Sequence, residues 1–301
     1  MTTAHPQRFV TVPAEWEFPD NRMEPAMALR WAVDMDNTNV MTQAIANGAN
    51  PNERDDEGRS VMHRAASGQG HGATIQALIA HGADPDLQDK QGRSPLQMAA
   101  WENNLEATEA LLRGGAYASP QNTSGITPLH LAAYHNDPSI LQALLNAGAK
   151  PNALDRNGDT PLHNARTPDA VNALIDHGAQ PSTPNDEGQT PLHMRARDGD
   201  PSTVQTLIER GADVHARDMG GNTPLHVAAN PAMRFDGTVG HLVSAGADLY
   251  AANDRGETPV DIAQRVGNRG VFVEHERRAL HAVADDATAE EQAPRRQRAR
   301  L

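Results

Sequence analysis

The chain has 301 residues, a formal net charge of −13, no cysteine and no stretch approaching the ~18 apolar residues of a membrane span. That excludes disulfides and thiolate chemistry, and it argues against broad binding to nucleic acid or anionic membranes, which calls for basic surface. Aromatics are 3% of residues beside 24 Gly and 21 Pro, a composition suited to short helices, tight turns and thin aliphatic layers rather than one large spherical core.

In chain order, the opening "MTTAHPQRFVTVPAEWEF" has no apolar h-region, so no cleavable secretory signal is expected. Phe9, Val10, Val12, Trp16 and Phe18 give residues 1–24 the character of a strand-like arm covering the first helix pair, with a docking peptide as the alternative. An N-terminal half-unit is expected over about 25–53, where "VMTQAIANGANPN" supplies a second helix and its glycine.

A repeat follows. "TPLH" stands at 127–130, 160–163, 190–193 and 223–226, with blurred copies "SVMH" (60–63), "SPLQ" (94–97) and "TPVD" (258–261). Gly58, Gly92, Gly125, Gly158, Gly188, Gly221 and Gly256 are spaced 34, 33, 33, 30, 33 and 35, and the series from Gly48 to Gly246 repeats those six spacings. Two glycines in step mean one supersecondary unit copied along the chain.

Within a copy each part has a local cause. Thr127 is placed to cap a first helix and Pro128 to occupy its first turn, where a missing N–H costs nothing. Leu129, Leu131, Ala132 and Ala133 give a short helix whose small residues permit close stacking. Asp137-Pro138 repeats the device, as do Thr167-Pro168 and Asp200-Pro201. Ile140, Leu141, Leu144 and Leu145 then form an apolar stripe at helical spacing, and Gly148 suits the left-handed residue past the helix end. "AKPNALDRNG" reads as an extended turn to the next pair.

The stretch "GITPLHLAAYHNDPSILQALLNAGA" (125–149) resembles an ankyrin repeat, and the resemblance covers roughly residues 25–283. It implies a mostly α fold: a solenoid of helix pairs joined by β-hairpin turns, with about seven repeats after the half-unit, each burying its stripe on its neighbours. Residues 268–283 look like a capping helix with Val271, Phe272, Leu280 and Val283 inward. Residues 284–301, acidic and then arginine-rich, carry no apolar pattern and are expected to be disordered.

The recurring histidines are read as structural. Zinc ligands hold their nitrogens ~2.1 Å from the metal, whereas equivalent atoms of stacked layers are about 8–10 Å apart. His130, His163, His193 and His226 therefore cannot share an ion; each is placed to hydrogen-bond within and between hairpins, the role the resemblance also implies. Gln97 and Asp261 stand in for the histidine in two copies and retain that capacity. Asp155, Asn157 and Asp159 open like a calcium loop, but Thr160 and Arg166 occupy the positions that need glycine and glutamate. No HExxH, Walker or GxSxG motif occurs. No cofactor, metal or catalytic set is expected.

The resemblance places partner contacts on a concave face of hairpin tips and first helices. Trp101 and Tyr134, 33 residues apart, occupy one position in adjacent copies, with Ile126 on the hairpin beside them and Lys90 and Arg93 at the border. An aromatic pair ringed by cations has the composition of an interface centre. Arg156 lies in the same hairpin-tip row. The fourth copy is three residues short, and Arg195 replaces the small residue after "LHx" in the fifth; the two together suggest a polar notch, or drift in a long array.

The expected function is a non-catalytic module, monomeric and cytoplasmic, that binds a partner protein. Lys90 and Lys150 are the only lysines. That scarcity reflects an arginine-biased composition or avoidance of ubiquitination, the latter fitting an effector delivered into a host cell without a cleavable signal. The alternative of another class is an enzyme with a site near the irregular fourth and fifth copies.

Overall fold

The computed structural model describes residues 10–11, 22–68, 71–135, 138–229, 236–275 and 277. The chain divides into two compact units, Met1–Ala179 and Gln180–Leu301.

The first unit opens with a two-residue strand pair, β1 (Val10–Thr11) and β2 (Arg22–Met23), antiparallel with Val10 opposite Met23. Among its described residues ten helices follow: α1 (Pro25–Asp34), α2 (Thr38–Ala46), α3 (Val61–Ser67), α4 (Gly72–Ala80), α5 (Pro95–Trp101), α6 (Leu105–Arg113), α7 (Pro128–Tyr134), α8 (Pro138–Asn146), α9 (Pro161–Asn164) and α10 (Pro168–Asp176). They form two layers. The first helices α1, α3, α5, α7 and α9 pack in sequence on one another, and α2, α4, α6, α8 and α10 do the same beside them. Where a half-unit was expected, residues 25–46 carry both helices, α1 and α2; α1 starts at Pro25 without the Thr or Ser cap and the His, Gln or Asp of the other copies. β1 lies against α2 and Val10 is fully buried. Phe9, Val12, Trp16 and Phe18 lie outside the described residues, as does Asp137.

The second unit holds α11 (Pro191–Asp198), α12 (Pro201–Glu209), α13 (Pro224–Ala228), α14 (Asp236–Ser244) and α15 (Pro259–Arg265), followed by helical residues 270–275. Again first helices pack on first helices, α11 on α13 on α15, and α12 packs on α14. Phe272 is fully buried. Leu280, Val283 and the tail 284–301 are outside the described residues.

The core is aliphatic. Ile140, Leu141 and Leu144 are fully buried at the helical spacing read from the sequence, each contributing about 1.5–3 kcal/mol of burial. Ala99, Ala100, Ala132 and Ala133 are equally buried, so α5 and α7 approach closely.

Hairpins tie the layers together. The side chain of Asp155 accepts the amides of Asn157 and Asp159 at 2.8 and 3.0 Å, folding its own turn, and Asp55, Asp89 and Asn122 do likewise. Neighbouring hairpins then join: Lys90 N–H donates to the Glu57 carbonyl, Thr123 to Gln91 and Arg156 to Ser124, at 2.9–3.0 Å. Gly125, at φ +75°, lies so close to the next hairpin that a Cβ would stand 2.9 Å from the Asp155 Cα. Gly148, at φ +81°, has open space around it and is required by its backbone angle alone.

The histidines form the corners between hairpin and first helix. The Thr127 N–H donates to His130 Nδ1 at 3.2 Å, so that nitrogen is unprotonated; the proton is on Nε2, which donates to the Asp159 carbonyl of the next hairpin at 3.0 Å. The pairs Ser60–His63, Thr190–His193 and Thr223–His226 repeat this, reaching the carbonyls of Arg93, Asn222 and Glu257. Thr160 N–H donates to His163 Nδ1 in the same way. Burial pushes the imidazoles of His63, His130 and His226 below their ordinary pKa, consistent with neutral rings. His177 Nδ1–H donates to the Ala173 carbonyl near the end of α10.

Candidate functional site

Trp101 and Tyr134 are the last residues of α5 and α7. The residues just before them, Ala100 and Ala133, are fully buried, so the aromatic pair is the point where those helices leave the core. Trp101 is 57% and Tyr134 51% exposed, unusual for side chains this large and apolar.

Beside Trp101 is a cleft of about 240 Å³. Met98 of α5, Leu131 of α7 and the hairpin residue Ile126 supply its apolar lining, with Arg93, Gln97 and Asn122 around them. The structure thus brings Arg93, Trp101 and Ile126, three of the residues named from sequence, to one depression. Gln97 is fixed there by the corner bonding: its side-chain oxygen accepts Ser94 N–H at 2.9 Å and its amide donates to the Ile126 carbonyl at 2.6 Å, which sets the position of Ile126.

Tyr134 is held differently. The His135 ring stands edge-on to both aromatics, at 6.4 Å from Trp101 and 6.0 Å from Tyr134, and its Nε2–H donates to the Trp101 carbonyl at 3.0 Å. The cation on Tyr134 is Arg166, whose guanidinium carbon lies 4.8 Å from the ring centroid. Arg166 can lie there because α9 stops after four residues and Ala165 is extended. Met98, Leu131, His135 and Arg166 were not read from sequence as residues of this face. The shortened fourth copy was the available signal for Arg166; Met98 and Leu131 were visible only as helix positions flanking an aromatic.

The cations sort into two kinds. Arg93 is committed, with Nε 2.7 Å from the buried Asp89 carboxylate and Nη2 donating to Gln91 Oε1 at 3.1 Å. Lys90 and Arg156 are exposed on hairpin tips on either side of the Thr123–Ser124 tip, and neither side chain forms an ion pair among the described residues. Arg195 departs from its expected role. In the second unit it occupies the small-residue position of α11, is only 5% exposed, and pairs with Asp198 at 3.0 Å; it is a buried, neutralised cation rather than a docking one. Asp198 is available because α11 runs to that residue, three beyond the arginine.

Among the described residues no group of His, Asp or Glu is arranged to hold a metal ion, and no helix is long and apolar enough to cross a membrane. The family model for ankyrin repeats matches in three copies, at residues 29–122, 109–185 and 164–253. The human ASB11 ankyrin repeat domain is a similar solved structure, with 25% identity and a TM-score of 0.64 over 73% of this chain and 98% of that one. No curated protein matches the chain.

Proposed function

The chain belongs to the ankyrin-repeat family, whose repeats generally mediate protein–protein interaction, and from that premise we propose that its partner docks on the hairpin and first-helix face of the first unit, centred on Trp101. One observation carries this reading. Two large aromatics are left half exposed beside an apolar cleft, although their backbones lie at the edge of a tightly packed alanine layer. Retaining such surface in water has a cost that core packing does not require, and a partner would recover it. The face is preformed: Gln97 fixes Ile126, and His135 ties the Trp101 end of α5 to α7. Docking there would lose little conformational entropy. No chemical step is proposed.

The test is affinity capture with the purified full chain against the Trp101→Ala/Tyr134→Ala variant. The variant should lose its specific partner while its melt shifts by less than about 0.5 kcal/mol of stability, as expected for exposed side chains. Undiminished capture would remove the proposed face. A collapsed melt would show that the aromatics hold the layers together instead.

A further inference from the structure

The docking face has a charge pattern that narrows what can occupy it. Three of the cations around it are already engaged: Arg93 by Asp89, Arg59 by Asp55 at 3.0 Å, and Arg166 by the Tyr134 ring. Lys90 and Arg156 are different. Each is exposed on a hairpin tip, one on either side of the tip that leads to Ile126, and neither has an ion-pair partner among the described residues. The apolar cleft of Met98, Trp101, Ile126 and Leu131 opens between the layer of Lys90 and the next one, within the span of the two tips.

Resting on the docking face proposed above, we infer that its occupant is an extended segment of a partner protein in which one large apolar side chain stands between two carboxylates. The apolar side chain enters the cleft against Trp101, and the carboxylates meet Lys90 and Arg156. Spacing follows from the fold. Stacked layers repeat at roughly 8–10 Å, so tips two layers apart are roughly 16–20 Å from one another. A chain in the extended polyproline II conformation advances about 3.1 Å per residue with every third side chain on one face, and covers that distance in about six residues. The motif is therefore an acidic residue, an apolar residue about three further on, and a second acidic residue about three beyond that. At physiological ionic strength charges farther than about 8 Å are largely screened, so the chain's net charge of −13 acts weakly here; the exposed Glu57 on the tip bonded to that of Lys90 is the local charge the two cations must outweigh.

The probe is the capped peptide Glu-Ser-Ser-Phe-Ser-Ser-Glu, titrated into the full chain by calorimetry at about 0.15 M salt. Its counterparts carry Lys at both ends, or Ala in place of Phe. Each exposed ion pair is worth up to roughly fivefold in affinity, so wild type should prefer the Glu peptide over the Lys peptide by about tenfold. The Lys90→Glu/Arg156→Glu variant should reverse that preference while melting like wild type. The Ala peptide should bind at least about tenfold more weakly than the Phe peptide to either protein, the loss expected on emptying an apolar pocket. Equal binding of the Glu and Lys peptides, an unreversed preference in the variant, or no binding of any peptide overturns the inference. If partner capture still depends on Trp101 and Tyr134 in that event, the docking face stands and only its proposed occupant fails.

Discussion

Two adjacent corners of the first unit solve one problem with different side chains. At the start of α7, His130 accepts the Thr127 N–H and donates to the Asp159 carbonyl; at the start of α5, Gln97 accepts the Ser94 N–H and donates to the Ile126 carbonyl. The fold selects a side chain with an acceptor near its own backbone and a donor about one ring-width beyond. Imidazole and carboxamide both fit. The last corner extends the lesson: Asp261 accepts from Thr258 N–H and Oγ–H at 3.0 and 2.7 Å but has no donor to offer. Among the described residues no hairpin follows α15 for such a donor to reach.

The largest test removes the shared pattern. His130→Ala leaves the buried Thr127 N–H and the Asp159 carbonyl without partners and opens a void between layers, for a loss of about 3 kcal/mol measured by chemical denaturation. A loss below about 1 kcal/mol would mean that water or a neighbour satisfies the corner. Next in size is a contrast between two glycines. Both Gly125→Ala and Gly148→Ala pay for a positive φ, about 1 kcal/mol each. Only Gly125→Ala also drives a methyl to 2.9 Å from the Asp155 Cα, so it should cost about 1–2 kcal/mol more, the usual scale of overpacking. Equal losses would show that the hairpins separate easily, and would weaken the ladder as a source of rigidity for the face.

Most of the architecture was legible because the repeat writes its own punctuation. The glycine pairs locate the hairpin and the end of each second helix, and a Thr or Ser cap, followed by proline in every copy but that of α3, locates each first helix after α1. The first pair escaped because α1 has neither signal. Glu24 caps it without a side-chain hydrogen bond, and only Pro25 and the buried stripe of Ala28, Leu29, Ala32 and Val33 mark it as a helix. In the candidate site, Trp101 and Tyr134 were found by register, since equal positions in stacked copies must be neighbours. Which cation was free was not legible. Arg93 is spent on Asp89 by the side-chain geometry of one hairpin, and Arg195 is drawn inward because Asp198 lies one turn away on the same helix. Spacing shows such pairs as available; burial decides whether they form.

The smallest effect is the one that separates the two kinds of corner. His130 is held below the ordinary imidazole value first by burial, which outweighs the opposing carbonyl of Asp159 and the charges of Asp155 and Asp159; a neighbouring His163 pushes the same way as burial. His63 and His226 are lowered with burial as the leading cause too, against the carbonyls of Arg93 and Glu257. A lowered folded-state pKa means that the unfolded chain binds more protons just below the ordinary value of about 6.5. The stability these three rings confer is therefore complete above that value and declines as pH falls from it toward the lower folded-state values. The slope is at most about 1.4 kcal/mol per pH unit for each ring. Asp55 and Asp200 are also held below their ordinary value: burial raises both, but hydrogen bonds outweigh it, and in Asp55 the charge of Arg59 helps. Their contribution is lost only below the ordinary aspartate value of about 3.9, in a separate window. Replacing His63, His130 and His226 by Gln should cost less than about 1 kcal/mol per site at pH 7.5, where each exchanges one neutral hydrogen-bonding group for another. It should also flatten the melting profile between pH 6.5 and about 5, relative to wild type. A triple variant with an unchanged slope would place the protons elsewhere. A loss as large as that of His130→Ala would mean that ring shape, rather than the acceptor–donor pattern shared with Gln97, is what the corner requires.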